Sequence, residues 1–421
     1  MIHQTTAFAM ILGLSQLLVG PQAARGESLK ETLALSLAHD SHIESATHGV
    51  RAAQLGAASL ARSLLPALNL GAGYQYNSAT TPVTVQNNWD MNAGVQWTLF
   101  DGFARTAAIA QKELQVARAA NGLSTAQTEA ALNVAAAYRQ AQAAQLQIDI
   151  LTSARDRAQL QIDQTSVLEK QGMAKKIDVL SLTIPKLDYD QKLIVAKADL
   201  TNALDVLASA AGKQISVDPA PSGALAISLA PFHEEDLDQI KALALQRKIL
   251  LADKTLAESK VFPALSLGGA VHYGFPGMSA LQNQWSLYAT AGATLSWSFD
   301  WGGDLIAAQQ VDSTLAGLLS DESSARENAR LLYTSAVRDW QATRDALDVQ
   351  AAARDLARAR LSIVQTQYEN GMASTTDFND ANLGLAQAEL QYRSQLLSLL
   401  LKASQIDVLA GNPVDKWSVT P

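Results

Sequence analysis

The chain contains no cysteine among its 421 residues, which excludes disulfides and a lipid anchor on a leading cysteine. It is also short of basic residues: 32 lysines and arginines stand against 40 acidic residues, for a formal charge of -8. Because nucleic acids are bound through a basic face, this balance argues against a nucleic-acid partner. Beyond the N-terminal segment there is no run of about 18 uncharged apolar residues, so the sequence predicts no transmembrane helix.

Motifs of catalysis are missing as well. The chain has no nucleophile elbow, phosphate loop, GxGxxG or HExxH motif. One group of metal-ligand residue types occurs on a polar N-terminal segment, and a solvated helix face is the favoured interpretation of it: His39, Asp40, His42, Glu44 and His48. We therefore predict no enzyme activity, no cofactor and no metal centre.

An apolar N-terminal run, AFAMILGLSQLLVG, is too short for a transmembrane helix. The small-x-small sequence Ala24-Arg25-Gly26 follows it. This order predicts a secretory signal peptide over residues 1–26, although the segment before the apolar run carries no lysine or arginine. The sequence thus indicates an exported protein.

The segment WDMNAGVQWTLFD, residues 89–101, alternates apolar and polar side chains with a period of two. Such alternation predicts a strand with one apolar and one polar face. The segment is longer than the usual strand of about 5 to 6 residues, and it places Trp89 and Trp97 at well-separated apolar positions. Tryptophan near strand ends is typical of membrane β-barrels.

Two β-hairpins are predicted. The first covers residues 67–101 and the second covers residues 264–300. Four strands cannot close a barrel, and each unpaired backbone group at an open edge costs several kcal/mol in hydrocarbon. We therefore expect several copies to share one barrel. The predicted membrane-interface aromatics are Trp89, Trp97, Tyr74, Tyr76, Trp285 and Trp297.

Long helical segments connect the hairpins. Residues 28–65 are expected to form one helix that ends at Pro66. Residues 103–170 contain no proline, which predicts a helix on the order of 100 Å long. A return helix over residues 177–211 contains Pro185, which is expected to cause a kink or an early break.

The whole pattern occurs twice. Gly172-Met173 and Gly371-Met372 are 199 residues apart, as are Phe100-Asp101 and Phe299-Asp300, which indicates an internal duplication. The predicted organisation is a first repeat over residues 27–212 with helices in 103–211, a linker over 213–232, a second repeat over 233–411 with helices in 303–410, and a tail over 412–421.

Short motifs flank each hairpin. Leu65-Pro66-Ala67-Leu68 and Phe262-Pro263-Ala264-Leu265 precede the hairpins, and Phe100-Asp101-Gly102 and Phe299-Asp300-Trp301-Gly302-Gly303 follow them. The helical turns contain GMAKKIDVL and YENGMASTTDFNDA. In this order, and twice over, the motifs resemble the TolC family of outer-membrane efflux proteins across essentially everything after the signal peptide.

The resemblance implies a mainly α fold with a membrane β-barrel. Three copies would share a twelve-stranded barrel in the outer membrane of a Gram-negative bacterium, in contact with its lipid, and form an α-helical tunnel across the periplasm. Family members are passive ducts that dock to an inner-membrane transporter through a periplasmic adaptor protein. The expected function is therefore the exit duct of a tripartite pump that exports small toxic compounds.

The resemblance also implies roles for particular residues. The family's acidic residues at the narrowest point of the tunnel correspond to Asp377 and Asp380, and rings of carboxylates there would favour cations. A latch is implied between Tyr368 and Asp178, while Ala373 stands where the family has a latch arginine. The adaptor is expected to meet the two helical turns at Gly172, Met173, Gly371 and Met372.

Two other functions stay open. The outer-membrane channel of a type I protein secretion system would use the same duct. A periplasmic helical scaffold without channel activity is the alternative from another class, and the alternating hairpins argue against it. An ordinary porin is excluded, because four strands in a mainly helical chain do not make a single-chain barrel.

Overall fold

The computed structural model describes residues 26–79, 81, 85–221, 223, 227–277 and 284–417. Apart from Gly26, the predicted signal peptide lies outside these residues. Helix, hairpin, long helix and return helix occur in this order twice, so the predicted duplicated, mainly α fold is confirmed. The elements are α1 (Leu29–His39), α2 (Ser41–Ala61), β1 (Ala67–Tyr76), β2 (Asn87–Phe100), α3 (Ala104–Lys170), α4 (Lys176–Ala211), α5 (Asp238–Ser259), β3 (Ala264–Phe275), β4 (Ser286–Ser296), α6 (Gly303–Glu369) and α7 (Thr375–Leu409).

The strands form one antiparallel sheet in the order β1-β2-β3-β4. Its register places apolar positions opposite one another, for example Trp97 opposite Leu267 and Leu267 opposite Ala293. Residues directly opposite in an antiparallel pair share a face, so the apolar side chains of all four strands lie on one side of the sheet. Met91 and Val95 on that side are exposed. This is the alternation that the sequence predicts.

Strand β4 is shorter than predicted. The predicted hairpin extends over residues 264–300, whereas β4 covers Ser286–Ser296 and leaves Trp285 and Trp297 just outside the strand. Ser296 pairs with Ala264, the first residue of β3. Pro263 precedes Ala264 and has no amide hydrogen, so the ladder cannot continue past this pair.

The predicted helix over residues 28–65 is in fact two helices. Asp40 has an extended backbone (φ -69°, ψ 124°) between α1 and α2. Its carboxylate accepts hydrogen bonds from the backbone N–H groups of His42 at 2.7 Å and Ile43 at 3.2 Å. This N-cap starts α2, a local interaction that the spacing of apolar residues does not reveal. Within the described chain, no group of three or more histidines and acidic residues is arranged to hold a metal ion.

Helices α3 and α6 contain 67 residues each, which corresponds to about 100 Å. Helix α3 packs along α4, α6 packs along α7, and α3 also contacts α7. Small buried side chains on α3 let these helices approach closely: Ala131, Ala135, Ala141, Ala154 and Ala158. None of the helices in the described ranges is both long and apolar enough to cross a bilayer.

The linker between the repeats packs against the middle of the long helices. Ile227 and Leu229 contact the core that α3, α6 and α7 form around Leu146 and Trp340. Buried Tyr138 on α3 joins the start of the first repeat to the linker, since its hydroxyl donates to the carbonyl of Glu27 at 2.8 Å and accepts from the N–H of Asp218 at 3.0 Å. The start of the first repeat and the linker therefore both pack against the middle of the long helices.

Candidate functional site

Two tight turns join the long helices to the return helices, at the end of the helices that lies away from the hairpins. In the first turn, Gly172 has φ 74°. The N–H of Gly172 donates to the carbonyl of Glu169 at 2.9 Å, and the N–H of Met173 donates to the carbonyl of Leu168 at 2.8 Å. This pair of bonds is a Schellman motif, which requires a left-handed residue after the helix.

The second turn repeats this geometry around Gly371, which has φ 73°. The N–H of Met372 donates to the carbonyl of Gln367 at 2.8 Å. A Cβ atom on Gly371 or Gly172 would meet nothing within 4 Å, so glycine is needed for its backbone conformation and not for lack of room. Met173 and Met372 are 67% and 73% exposed, which places a bare apolar side chain at the tip of each turn.

A capping box holds the start of α7 next to the second turn. The backbone N–H of Ser374 donates to Oδ2 of Asp377 at 2.9 Å, and the Ser374 hydroxyl donates to the same oxygen at 2.7 Å. These hydrogen bonds lower the pKa of Asp377, and Arg360 contributes a smaller attraction. Asp380 is exposed about one turn further along α7. The two predicted gate carboxylates therefore lie near each other at the helix start.

The structure gives the two predicted latch residues different partners. The hydroxyl of Tyr368 lies 3.0 Å from Oγ1 of Thr165, a buried residue on α3. Oδ2 of Asp178 accepts the backbone N–H of Lys175 at 3.0 Å. Neither bond joins Tyr368 to Asp178, and the cap uses only Oδ2 of Asp178, so the latch between these two residues stays a prediction. Tyr368 still links the two repeats, but through α3.

Helix α4 continues through Pro185, so the predicted early break is wrong. Proline has no amide hydrogen and leaves the carbonyl four residues earlier without its helical partner. That carbonyl belongs to Ser181, and Nδ2 of Asn379 on α7 donates to it at 3.0 Å. The Ser181 carbonyl, which Pro185 leaves without a helical partner, thus accepts a hydrogen bond from the other repeat. This bond joins the two return helices.

A second asparagine joins α7 to α3. Asn382 is only 1% exposed, yet both ends of its amide are bonded. Its Nδ2 donates to the carbonyl of Ala154 at 3.0 Å, and its Oδ1 accepts from Nε of Arg157 at 2.8 Å. Burying a polar group without partners is costly, so these bonds determine the position of α7 against α3. An apolar cluster surrounds this contact: Leu182, Leu361, Phe378, Ala381 and Leu385.

These interhelical residues are missing from the sequence-based prediction. Asparagine inside a helix is ordinarily a solvated residue, and neither motif nor spacing singles out Asn379, Asn382 or Thr165. The duplication does contain a signal, since the positions 199 residues before the two asparagines are Leu180 and Thr183. Asparagine in place of leucine at an equivalent position marks a polar contact that one repeat makes and the other does not.

The strands carry one row of aromatic side chains near the hairpin loops. The Tyr74 and Trp89 rings lie 4.4 Å apart between centroids, and those of Tyr273 and Trp285 lie 5.1 Å apart. Tyr76 extends this row, and its hydroxyl accepts from Nε2 of Gln86 at 3.0 Å. Tyr273 belongs to the same row but is not among the predicted interface residues.

A second aromatic row lies where the strands meet the helices. Nε1 of Trp97 donates to the carbonyl of Leu64 at 3.0 Å, and Nε1 of Trp297 donates to the carbonyl of Val261 at 3.1 Å. The two tryptophans thus make equivalent bonds in the two repeats. Eight residues separate Trp89 from Trp97, or about 26 Å along β2. The apolar face is therefore bordered by aromatic rings at both ends.

A family model described as outer membrane efflux protein matches residues 32–213 and 235–412. The chain belongs to the outer membrane efflux protein family. This confirms the predicted resemblance to the TolC family and the predicted outer-membrane location. No curated protein matches the chain significantly.

Solved structures of outer-membrane proteins share the fold of this family member. The outer membrane protein VceC of Vibrio cholerae matches with a TM-score of 0.72 and 16% identity, over 91% of this chain and 94% of that one. The CmeC outer membrane channel of Campylobacter jejuni matches with a TM-score of 0.76 and 14% identity, over 94% and 87%. The open state of the MtrE outer membrane channel of Neisseria gonorrhoeae matches with a TM-score of 0.77 and 15% identity, over 94% and 91%.

Proposed function

We propose that this member of the outer membrane efflux protein family is a passive exit duct, through which an inner-membrane transporter expels small toxic compounds with the help of a periplasmic adaptor. The observation that carries the proposal is the sheet. Its apolar face is exposed, its opposite face is polar, and it continues directly into helices of about 100 Å.

The sheet edges support a trimer. Strand β1 pairs with β2, strand β4 pairs with β3, and neither has a second partner in the described part of the chain. An edge of unpaired backbone groups is not tolerated in hydrocarbon. Three copies, each pairing its β4 with the β1 of the next copy, would close a twelve-stranded barrel. The polar face, which forms a concavity around Asn92, Gln96 and Thr294, would then line the lumen.

The aromatic rows support a position within the bilayer. At the usual strand tilt of about 40°, the distance of about 26 Å between Trp89 and Trp97 corresponds to a height of about 20 Å. Transmembrane barrels have an apolar band about 25 Å tall between aromatic girdles. We assign the interface to the predicted residues Trp89, Trp97, Tyr74, Tyr76, Trp285 and Trp297, together with Tyr273.

The helical turns support docking and gating at the other end. Exposed Met173 and Met372 offer pliable apolar contacts to the hairpin tips of an adaptor. Asp377 and Asp380 are exposed beside the second turn. In a trimer they would form two rings of three carboxylates that attract cations and repel anions at the tunnel mouth.

The proposal is tested by planar-bilayer conductance of the purified, detergent-solubilised protein, with its native mass determined alongside. We expect a trimer with small, cation-selective openings. Asp377→Ala combined with Asp380→Ala should raise the single-channel conductance and weaken block by multivalent cations. Asp345→Ala combined with Asp348→Ala is the matched control, because these exposed aspartates on α6 have the same spacing away from the turn.

One outcome would contradict the proposed duct, and another would contradict only the proposed gate. A monomer that stays silent in the bilayer would favour a periplasmic scaffold over a duct. A conducting trimer whose cation block is the same in the Asp377 and Asp380 double variant would keep the duct and remove these two residues from the gate.

A further inference from the structure

The two hairpins are almost free of charge. Residues 67–99 and 264–299 contain one aspartate, one histidine and no glutamate, lysine or arginine. These two residues, Asp90 on β2 and His272 on β3, contact each other, with Nδ1 of His272 at 3.0 Å from Oδ1 of Asp90. Ionisable side chains in membrane segments are costly, and their presence marks functional positions.

The pair is held in place by its neighbours on both adjoining strands. Nδ2 of Asn92 donates to Oδ2 of Asp90 at 2.7 Å, so both oxygens of the carboxylate are engaged. The imidazole of His272 stacks on the ring of Tyr288 on β4, with centroids 5.0 Å apart and 6° between the planes. Asp90 lies opposite Gly274, which has no side chain. Asp90 and Tyr288 are therefore the titratable groups that face His272 from β2 and β4.

The pair lies on the polar face of the sheet and close to the hairpin loops. His272 is opposite Asn92 and Tyr288 in the ladder, whereas the neighbouring apolar-face pairs include Met91 opposite Tyr273. In the proposed trimer this polar face lines the lumen, so three copies of the pair would surround the channel near its outer mouth. The other polar side chains of this face, such as Gln96 and Thr294, are uncharged.

We propose that Asp90, with His272 as its partner, determines the ion selectivity of the barrel lumen. This inference rests on the proposed duct. Each Asp90 carboxylate adds one fixed negative charge to the lumen and favours cations. His272 and Asn92 hold this carboxylate in place on the polar face.

The test measures reversal potentials in planar bilayers across a KCl gradient. Low salt is used, because screening shortens the reach of a fixed charge to about 10 Å at 0.1 M. The parent chain carries Asp377→Ala and Asp380→Ala, which removes the other proposed charged rings. It is compared at about pH 8 with the same parent carrying Asp90→Asn or His272→Gln. Thr290→Ala, an uncharged change on the same face, is the matched control.

We expect Asp90→Asn to lower the cation-to-anion permeability ratio about threefold at pH 8, corresponding to a change of about half a kT in lumen potential. His272→Gln leaves the Asp90 carboxylate in place and should keep the cation preference. Thr290→Ala should behave as the parent chain.

Two results would overturn the inference: a reversal potential that Asp90→Asn leaves unchanged, or a shift in Thr290→Ala as large as the shift in Asp90→Asn. A chain that forms no channel at all would instead contradict the proposed duct, so the two failures are distinguishable. A merely structural role of the pair would change the thermal stability of the trimer without changing the reversal potential, and melting of each variant is therefore measured in parallel.

Discussion

At the scale of single residues, the contact between Ser374 and Asp377 lowers the pKa of one of the two proposed gate carboxylates. Two hydrogen bonds from Ser374 favour the charged form of Asp377 and lower its pKa. A carboxylate with a lowered pKa stabilises the folded helix start above its unfolded pKa. That contribution is lost as the pH falls through the folded value. The tip should therefore keep its charge under mildly acidic conditions.

We predict that Ser374→Ala shifts the loss of divalent-cation block to higher pH. The substitution removes the hydroxyl bond to Asp377, so the pKa of this carboxyl rises and its charge disappears earlier on acidification. The measurement is the pH dependence of block by a divalent cation in planar bilayers. Ser374→Thr keeps the hydroxyl and is the control. Identical pH profiles for the alanine and threonine variants would show that this cap has no influence on the gate.

At the scale of elements, the tip of the second repeat is attached to the first by side chains of α7 that donate hydrogen bonds to backbone carbonyls of α3 and α4. Asn379 fills the position that Pro185 leaves open on Ser181, and buried Asn382 bridges to α3. A hydrogen bond of this kind contributes about 1 kcal/mol. These contacts resist a movement of α7 away from α3 and α4, which is the movement that would widen the proposed tunnel mouth.

We predict that Asn379→Leu increases the open probability of the channel. Leucine is the residue at the equivalent position of the first repeat, Leu180, and it fits a helix but cannot donate to Ser181. Pro185→Ala restores a helical partner for Ser181, so the loss of Asn379 should then matter less. A double-mutant cycle on the open probability should give a coupling of about 1 kcal/mol. Additive effects of the two substitutions would exclude a shared contact at Ser181.

The elements also show what the sequence reveals about this fold. The faces of the strands and the length of α3 follow from periodicity and from the absence of proline, which are visible along the chain. The division at Asp40 and the end of β4 at Ser296 depend on a cap and on a partner strand, and those are local or long-range contacts. The hydroxyl of Tyr368 contacts Thr165, 203 residues away in sequence, and neither motif nor spacing predicts this contact.

At the scale of the whole molecule, one chain has an open four-stranded sheet at one end and two helical turns at the other. The sheet has two edges, and in the proposed trimer further copies of the chain pair with them. Because β1 and β4 differ, this contact between copies would be heterologous, and it would close into a ring if the rotation between copies fits. The apolar face, the lumen with Asp90 and the gate carboxylates gain their proposed roles together in that ring.

We predict that engineered cysteines on β1 and β4 join the chains into covalent trimers. Within one chain, Asn69 and Thr290 lie at the same level on opposite edges of the sheet, about 14 Å apart across three strand spacings. A disulfide needs Cα atoms within about 7 Å, so only the β4 of a neighbouring copy can reach Asn69→Cys. Three double variants combine Asn69→Cys with Thr290→Cys, Gly292→Cys or Thr294→Cys. Each variant is oxidised in membranes, and its covalent products are separated by mass.

The native chain has no cysteine, so every covalent band reports an engineered pair. At least one of the three pairs should give a trimer as its largest product, because each chain then bonds to both neighbours around a closed ring. The single variants should stay monomeric, since β1 does not meet β1 in a heterologous contact. Dimers from Asn69→Cys alone would indicate a two-fold contact between β1 edges. That arrangement leaves β4 unpaired and cannot close the barrel.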